Sequence, residues 1–364
     1  MRSPRLLTAA GTCCSTQIRR KYSARTCGKC PIYAANGSRL VRRKLEGWTM
    51  LAGRRLLTAP GWLVLGLALA ANAQTLATSG RVSTTAESVC VLRAIAAKHL
   101  DPKVRNPDYL AEKFVSAEFW RASPFRDDPD RARHNPNYFW VNARTHHMDA
   151  LLVGALSTGA TQVVNLGAGF DSRAYRFRER FPQARFFELD LPAMIGAKRE
   201  RVVKIFGAVP DRVVLVSTDF TTRPLDEVLR DAGYDRTQRT FFIWEGVTMY
   251  LPEAANLSTL RFIRSGSASG SSVVYDYVLD AALRPDGGGI YGAKSTAAYL
   301  ASVGEPLLTG WNQRQAAAIA TREGLVVVSD IGPAELTARY LTGSDGQPDG
   351  MMVEFPRIIH VRVP

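Results

Sequence analysis

Seven short apolar runs, most of them separated by stretches with helical pattern, constrain this chain more than any other feature. They are QVVNL at 162–166, RFFEL at 185–189, VVLVS at 213–217, TFFIW at 240–244, SVVYDY at 272–277, LVVVS at 325–329 and IIHVRV at 358–363. Short continuous apolar strands have both faces buried, as parallel strands covered by helices do. The pattern predicts one doubly wound α/β domain over 157–364 around a mostly parallel seven-stranded sheet. Upstream, residues 84–156 carry helical pattern, with Val89, Leu92, Ile95, Ala96 and Leu100 at three- and four-residue spacing, broken by Asp101-Pro102 and Asn106-Pro107. We expect these residues to form a helical cap on the sheet. The gap from Leu279 to Trp311, with Gly287-Gly288-Gly289, reads as an insertion near the ligand edge.

The formal charge of +14 suggests a nucleic-acid partner until it is located. Residues 1–60 hold 13 Lys and Arg against Glu46 alone, so residues 61–364 carry 34 basic and 32 acidic side chains. A phosphate-binding protein needs a clustered basic face on its folded part, and no such cluster stands out. Four of the five cysteines (Cys13, Cys14, Cys27, Cys30) also fall in the first 30 residues, leaving Cys90 in the body. The Cys27–Cys30 pair lacks the second pair that a zinc site needs, and no metal-ligand spacing is visible elsewhere. Residues 50–74 have a basic start at Arg54-Arg55, an apolar stretch from Trp62 to Ala71 and an Ala71-Asn72-Ala73 step. That is the layout of a secretory signal peptide. Its apolar run is about half the length that spans a bilayer, so no stable membrane span is expected. We read Met50 as the true start and 1–49 as a non-native or disordered leader.

The loudest chemistry lies where the first apolar run ends, in Gly167-Ala168-Gly169. Glycines there permit positive φ and let main chain approach a ligand without Cβ interference. In an open parallel sheet, ligands bind beyond the carboxyl ends of the strands, at the switch in strand order. The dinucleotide fingerprint requires a third glycine at position 172, where this chain has Ser172. A pyrophosphate cradle is therefore disfavoured, and a nucleoside without phosphates is favoured. Asp190, 23 positions after Gly167, ends the second strand and suits ribose hydroxyls. Asp219-Phe220 follows the third strand and could hold an adenine, and Glu245 ends the fourth. A single strand-end Asp is more often a helix N-cap; four such ends in sequence order are harder to dismiss.

Together, VVNLGAGFDSRAYRF, FFELDLPAMIGAKRERV, VSTDF and FIWEGVTMYLPEAA resemble the leucine carboxyl methyltransferase family, and more closely its bacterial branch of S-adenosyl-L-methionine-dependent methyltransferases. The resemblance covers roughly residues 85–280, with FDS where the family usually has LDT. It implies a class I, Rossmann-like methyltransferase fold whose last strand is antiparallel, and S-adenosyl-L-methionine as cofactor. It also implies that Gly167 and Gly169 lie by the cofactor, Asp190 on its ribose and Asp219-Phe220 around its adenine. Arg144-Thr145 matches a family pair on the helix before the first strand, so Arg144 would meet the methionine carboxylate. Glu245 would meet the cofactor ammonium or orient substrate.

Methyl transfer from a sulfonium is an in-line displacement with a neutral leaving group, so alignment and desolvation carry the rate. A carboxylate acceptor needs no base, whereas a hydroxyl acceptor does. The candidates are His146, His147 and Asp149, with Tyr250 and Tyr175 as pocket residues. The acceptor expected is a small molecule methylated on oxygen; a protein C-terminal carboxylate is the alternative. Two rivals remain in view. A nucleotide-cofactor oxidoreductase would want a glycine at 172, and a non-catalytic exported protein would fit the signal-like segment. Cofactor availability points to the cytoplasm and residues 50–74 point to export. Oligomeric state has no signature in the sequence.

Overall fold

The computed structural model describes residues 80–219 and 222–364. The readings of 1–49, 50–74, Cys27–Cys30 and Phe220 lie outside the described residues. Seven strands form one sheet: β1 (Gln162–Leu166), β2 (Arg185–Asp190), β3 (Val213–Ser217), β4 (Thr240–Trp244), β5 (Ser272–Val278), β6 (Val326–Ile331) and β7 (Pro356–Arg362). Their order is β3-β2-β1-β4-β5-β7-β6, with β1 to β5 paired in parallel and β7 antiparallel to both of its neighbours, β5 and β6. All seven apolar runs are strands, and the antiparallel last strand is the one the resemblance implied.

Before the sheet come helices α1 (Thr84–Ala96), α2 (Ala111–Phe114), α3 (Ala117–Ala122) and α4 (Pro136–Ser157). Among the strands lie α5 (Arg173–Arg176), α6 (Pro192–Phe206), α7 (Leu225–Asp231), α8 (Glu253–Ser265), α9 (Ala293–Ser302), α10 (Gln313–Arg322) and α11 (Pro333–Tyr340). Local chemistry sets their ends. Ser83 caps α1 by accepting from the Ala86 N–H, Asn135 caps α4 ahead of Pro136, and Asn312 with Gln315 forms a capping box on α10.

Successive residues of a strand face opposite sides, and the core divides accordingly. Val163, Phe186, Phe241, Ile243 and Val274 pack on one side with α1, α4 and α6. Val164, Phe187, Phe242, Trp244 and Val273 pack on the other with α7, α8 and α10. Every residue of β1, β4 and β5 is buried, while the edge strands β3 and β6 are partly exposed. α4 is buried nearly all round from Tyr138 to Thr145, as a helix enclosed by other elements must be. No described helix is long and apolar enough to cross a membrane.

Strand register aligns the carboxyl ends. Leu166 of β1 pairs with Leu189 of β2, Asp190 with Ser217 of β3, and Asn165 with Ile243 of β4. The chain winds outward through β1, β2 and β3, then crosses to β4 on the far side of β1. The switch point therefore lies between β1 and β4.

Two histidines away from this edge link the fold to pH. His147 on α4 and His360 on β7 are each pushed down to about 4, by burial and, for His147, by the Arg339 and His360 charges as well. Between about 4 and the unfolded value near 6.5, only the unfolded chain binds these protons. Their contribution is thus complete above about 6.5 and is lost as pH falls towards 4, at up to about 1.4 kcal/mol per proton per pH unit. Urea unfolding of wild type at pH 7 and pH 5 should show a drop in midpoint that is smaller in His360→Leu. Equal drops in the two proteins would rule this link out.

Candidate cofactor and active site

A cavity of about 880 Å³ opens at the carboxyl ends of the strands, and Gly167, Gly169, Asp190, Asp219, Glu245, Arg144 and Tyr250 all line it. Gly167 has φ +72°, and a Cβ there would collide with Val247 Cγ2. Its glycine identity thus answers both to backbone conformation and to the close approach of the β4 loop. The Gly167 and Ala168 N–H groups both donate to the Leu189 carbonyl at 2.9 Å, folding the turn back over β2. Gly169, with φ +43°, then donates to Asp190 Oδ2 at 2.6 Å, and the Leu191 N–H donates to Oδ1 at 2.7 Å. Burial pushes the Asp190 carboxyl up, against these two amide donors. An ionised carboxylate offers about four acceptor positions, so ribose hydroxyls could still be received.

Ser172, at the third position of the dinucleotide pattern, faces away from the cavity. Its hydroxyl donates to Asp108 Oδ1 at 2.5 Å and accepts from Arg176 Nε at 2.9 Å. Arg173 is 1% exposed and donates to Asp149 at 2.6 Å, Asp171 at 2.5 Å and Glu245 at 2.6 Å. Burial alone would lower Arg173, but these three carboxylates raise it well above the ordinary arginine range. Arg144 donates to Asp276 Oδ2 at 2.6 Å and pairs with Glu245 at 3.0 Å. Asp276 also accepts from the Gly246 N–H at 2.6 Å. Burial works to raise the Glu245 carboxyl, and the Arg144 and Arg173 guanidiniums overcome it and hold it low.

The base candidates fare differently. His146 and His147 stack on or tilt against Tyr340 of α11, and neither lines the cavity. Asp149 is also off the cavity, engaged by Arg173 and by both terminal nitrogens of Arg176. For His146 and Asp149 the reason is helical geometry. At about 100° per residue, positions 140 and 141 share the face of Arg144, whereas 146 and 149 turn well away from it. Trp140 and Val141 do line the cavity. Tyr175 is buried against Phe114 and Phe206 and donates to Glu188, so it too is structural. Of the base and pocket candidates, Tyr250 faces the cavity. Asp276 was missed, although a carboxylate inside the apolar run SVVYDY is itself a signal that a buried partner waits for it. No cluster of metal-binding side chains occurs among the described residues.

The profile of leucine carboxyl methyltransferases matches residues 86–264. A Streptomyces coelicolor protein, named among the S-adenosyl-L-methionine-dependent methyltransferases, is 36% identical over 194 residues, which are 52% of this chain and 67% of that one. The chain belongs to the leucine carboxyl methyltransferase family. A Mycobacteroides abscessus relative of the same description is 38% identical over 198 residues, 53% of this chain. The match spans 63% of that relative's length and 62% of a Mycobacterium ulcerans one. Among solved structures, a DUF574 family protein from Streptomyces avermitilis shares the fold at a TM-score of 0.50 with 16% identity, over 76% of this chain and 97% of that one.

Two substitutions test the site's architecture. Gly167→Ala should lower stability by about 1–3 kcal/mol through positive φ and the Val247 contact; adding Val247→Ala should recover only the contact's share in thermal melts. Arg173→Met strands three buried carboxylates and should lose about 3–5 kcal/mol. A melting temperature unchanged from wild type would show that the network does not hold the fold.

Proposed function

We propose that this protein is an S-adenosyl-L-methionine-dependent methyltransferase acting on an oxygen of a small molecule. The observation that carries the reading is one cavity at the β1/β4 switch where a glycine turn, Asp190, Asp219 and the Arg144–Glu245 pair converge. The site fits this cofactor by charge. Six carboxylates and three arginines line the cavity, and the cofactor's sulfonium and ammonium outnumber its single carboxylate. Gly246, with φ +69°, keeps the wall beside Arg144 bare, since a Cβ there would lie 3.4 Å from its Nη1.

In this reading Asp190 receives the ribose hydroxyls, and Asp219 stands on the adenine side. Arg144 and Glu245, already an ion pair, divide between the amino-acid group's carboxylate and ammonium. Each gains a partner of the sign it already faces, so the pair keeps its orientation. When bound, the cofactor supplies an electrophilic methyl whose leaving group is a neutral thioether. The protein's part is to align the acceptor and to keep water out, worth several kcal/mol of barrier where geometry is good. Apolar side chains of α1, α3 and α9, with Trp140 and Met249, wall that space.

Titration calorimetry on the full chain should show S-adenosyl-L-methionine binding, weakened at least about tenfold, or about 1.4 kcal/mol, in Asp190→Ala. NAD should not bind. Tight NAD binding, or cofactor affinity unmoved by Asp190→Ala, would overturn the assignment.

A further inference from the structure

A fully buried ion pair stands behind the glycine turn. Lys198 of α6 is 0% exposed and donates to Glu188 Oε1 of β2 at 2.6 Å, and the Tyr175 hydroxyl donates to Glu188 Oε2 at 2.6 Å. Met194, Lys198 and Val202 follow one another at four-residue spacing on the buried face of α6. The lysine thus holds a core position that an apolar side chain would fill at lower cost. Burial pushes the Glu188 carboxyl up, against the Lys198 charge. Neither member of the pair lines the cavity. Replacing such a pair with apolar side chains of similar volume is often neutral or stabilising, so stability alone does not account for its presence.

The pair has one further contact. Lys198 Nζ donates to the Ala168 carbonyl at 3.2 Å, and the same carbonyl accepts the Asp171 N–H at 2.8 Å. Ala168 is the middle residue of the glycine turn. Its carbonyl shares a planar trans peptide with the Gly169 N–H, so the two point in opposite directions. That N–H donates to Asp190 Oδ2 at 2.6 Å. One peptide plane is therefore held at both ends, by Lys198 and the Asp171 N–H on its carbonyl and by Asp190 on its amide. Gly167 at φ +72° and Gly169 at φ +43° have no Cβ to restrict rotation around that plane. The restraint has to come from outside the turn.

We infer that Lys198 is a positioning residue of the cofactor site: through the Ala168 carbonyl it fixes the peptide plane that aims the Gly169 N–H at Asp190, and so orients the carboxylate that receives the ribose. Glu188 and Tyr175 serve by holding the Lys198 ammonium at that carbonyl. The ligand side of the inference rests on the methyltransferase reading, and the restraint on the turn does not.

Lys198→Met alone strands the Glu188 charge and can unfold the chain, so the test replaces all three polar groups together. The full chain carrying Tyr175→Phe, Glu188→Leu and Lys198→Met should melt at or above the wild-type temperature. Calorimetry should nevertheless show S-adenosylhomocysteine binding at least about tenfold weaker than in wild type. Amide NMR on selectively glycine-labelled protein without ligand should show the Gly169 resonance displaced and that of Gly324, between α10 and β6, unmoved. A stable triple variant that binds as tightly as wild type, or one whose Gly169 resonance stays in place, would overturn the inference. So would a melting temperature that falls together with affinity, since the three side chains would then serve the fold. Wild type that binds no S-adenosylhomocysteine, with the Gly169 resonance still displaced in the variant, would sink the cofactor reading and leave the restraint on the turn standing.

Discussion

Everything at the ligand edge depends on the carboxylates gathered around Arg173. This guanidinium sits at the start of α5, directly after the glycine turn, and it joins Asp171 of its own loop to Asp149 of α4 and Glu245, which follows β4. Removing so many charges from water is expensive, and attraction offsets it only when every partner is in place. The glycine turn, the helix that carries Arg144 and the β4 end are therefore locked into one mutual position. Arg176 extends the lock to Asp149 and Asp108, and Arg144 extends it to Asp276 of β5. Arg144 and Glu245 are presented by this frame, not by loops free to adjust, which is the condition for a site held in working geometry before ligand arrives.

The sheet was legible because parallel strands leave an unambiguous trace: both faces buried, no alternation, helical spacing between. Runs such as TFFIW admit no half-exposed placement, and β4 is buried throughout. Even β7, inserted antiparallel between β5 and β6, reads as a strand from its apolar run, although its direction came from the family resemblance. The strand-end residues were legible for a related reason. Once strands are parallel and in register, their ends share one edge, and Gly167, Asp190, Asp219 and Glu245 arrive there together.

Residues on helices were read less well, because their direction depends on a rotation that a list of polar side chains does not supply. His146 and Asp149 lie within two turns of Arg144 in sequence, yet the helix aims them at Tyr340 and at Arg176. Arg144 itself was placed correctly at the cavity, but its two protein carboxylates were not foreseen. Pairing of that kind joins segments 132 residues apart, Arg144 to Asp276, and no local pattern encodes it.

The carboxylate surplus around the cavity ties these levels together. Buried acids without matching cations lower stability, and a fold selected for stability alone would trade Asp190 for a neutral side chain of similar size. Asp190 is instead held on the backbone N–H groups of Gly169 and Leu191, while Asp276 takes both the Gly246 N–H and the Arg144 guanidinium. Amide donors stabilise an anion without cancelling its charge, so the field in the cavity persists. A cavity that keeps its negative potential at this expense is complementary to a ligand carrying net positive charge. Of the nucleoside cofactors that a sheet switch point can hold, the sulfonium one alone answers that description, and dinucleotides, with their pyrophosphates, are opposed by the same field.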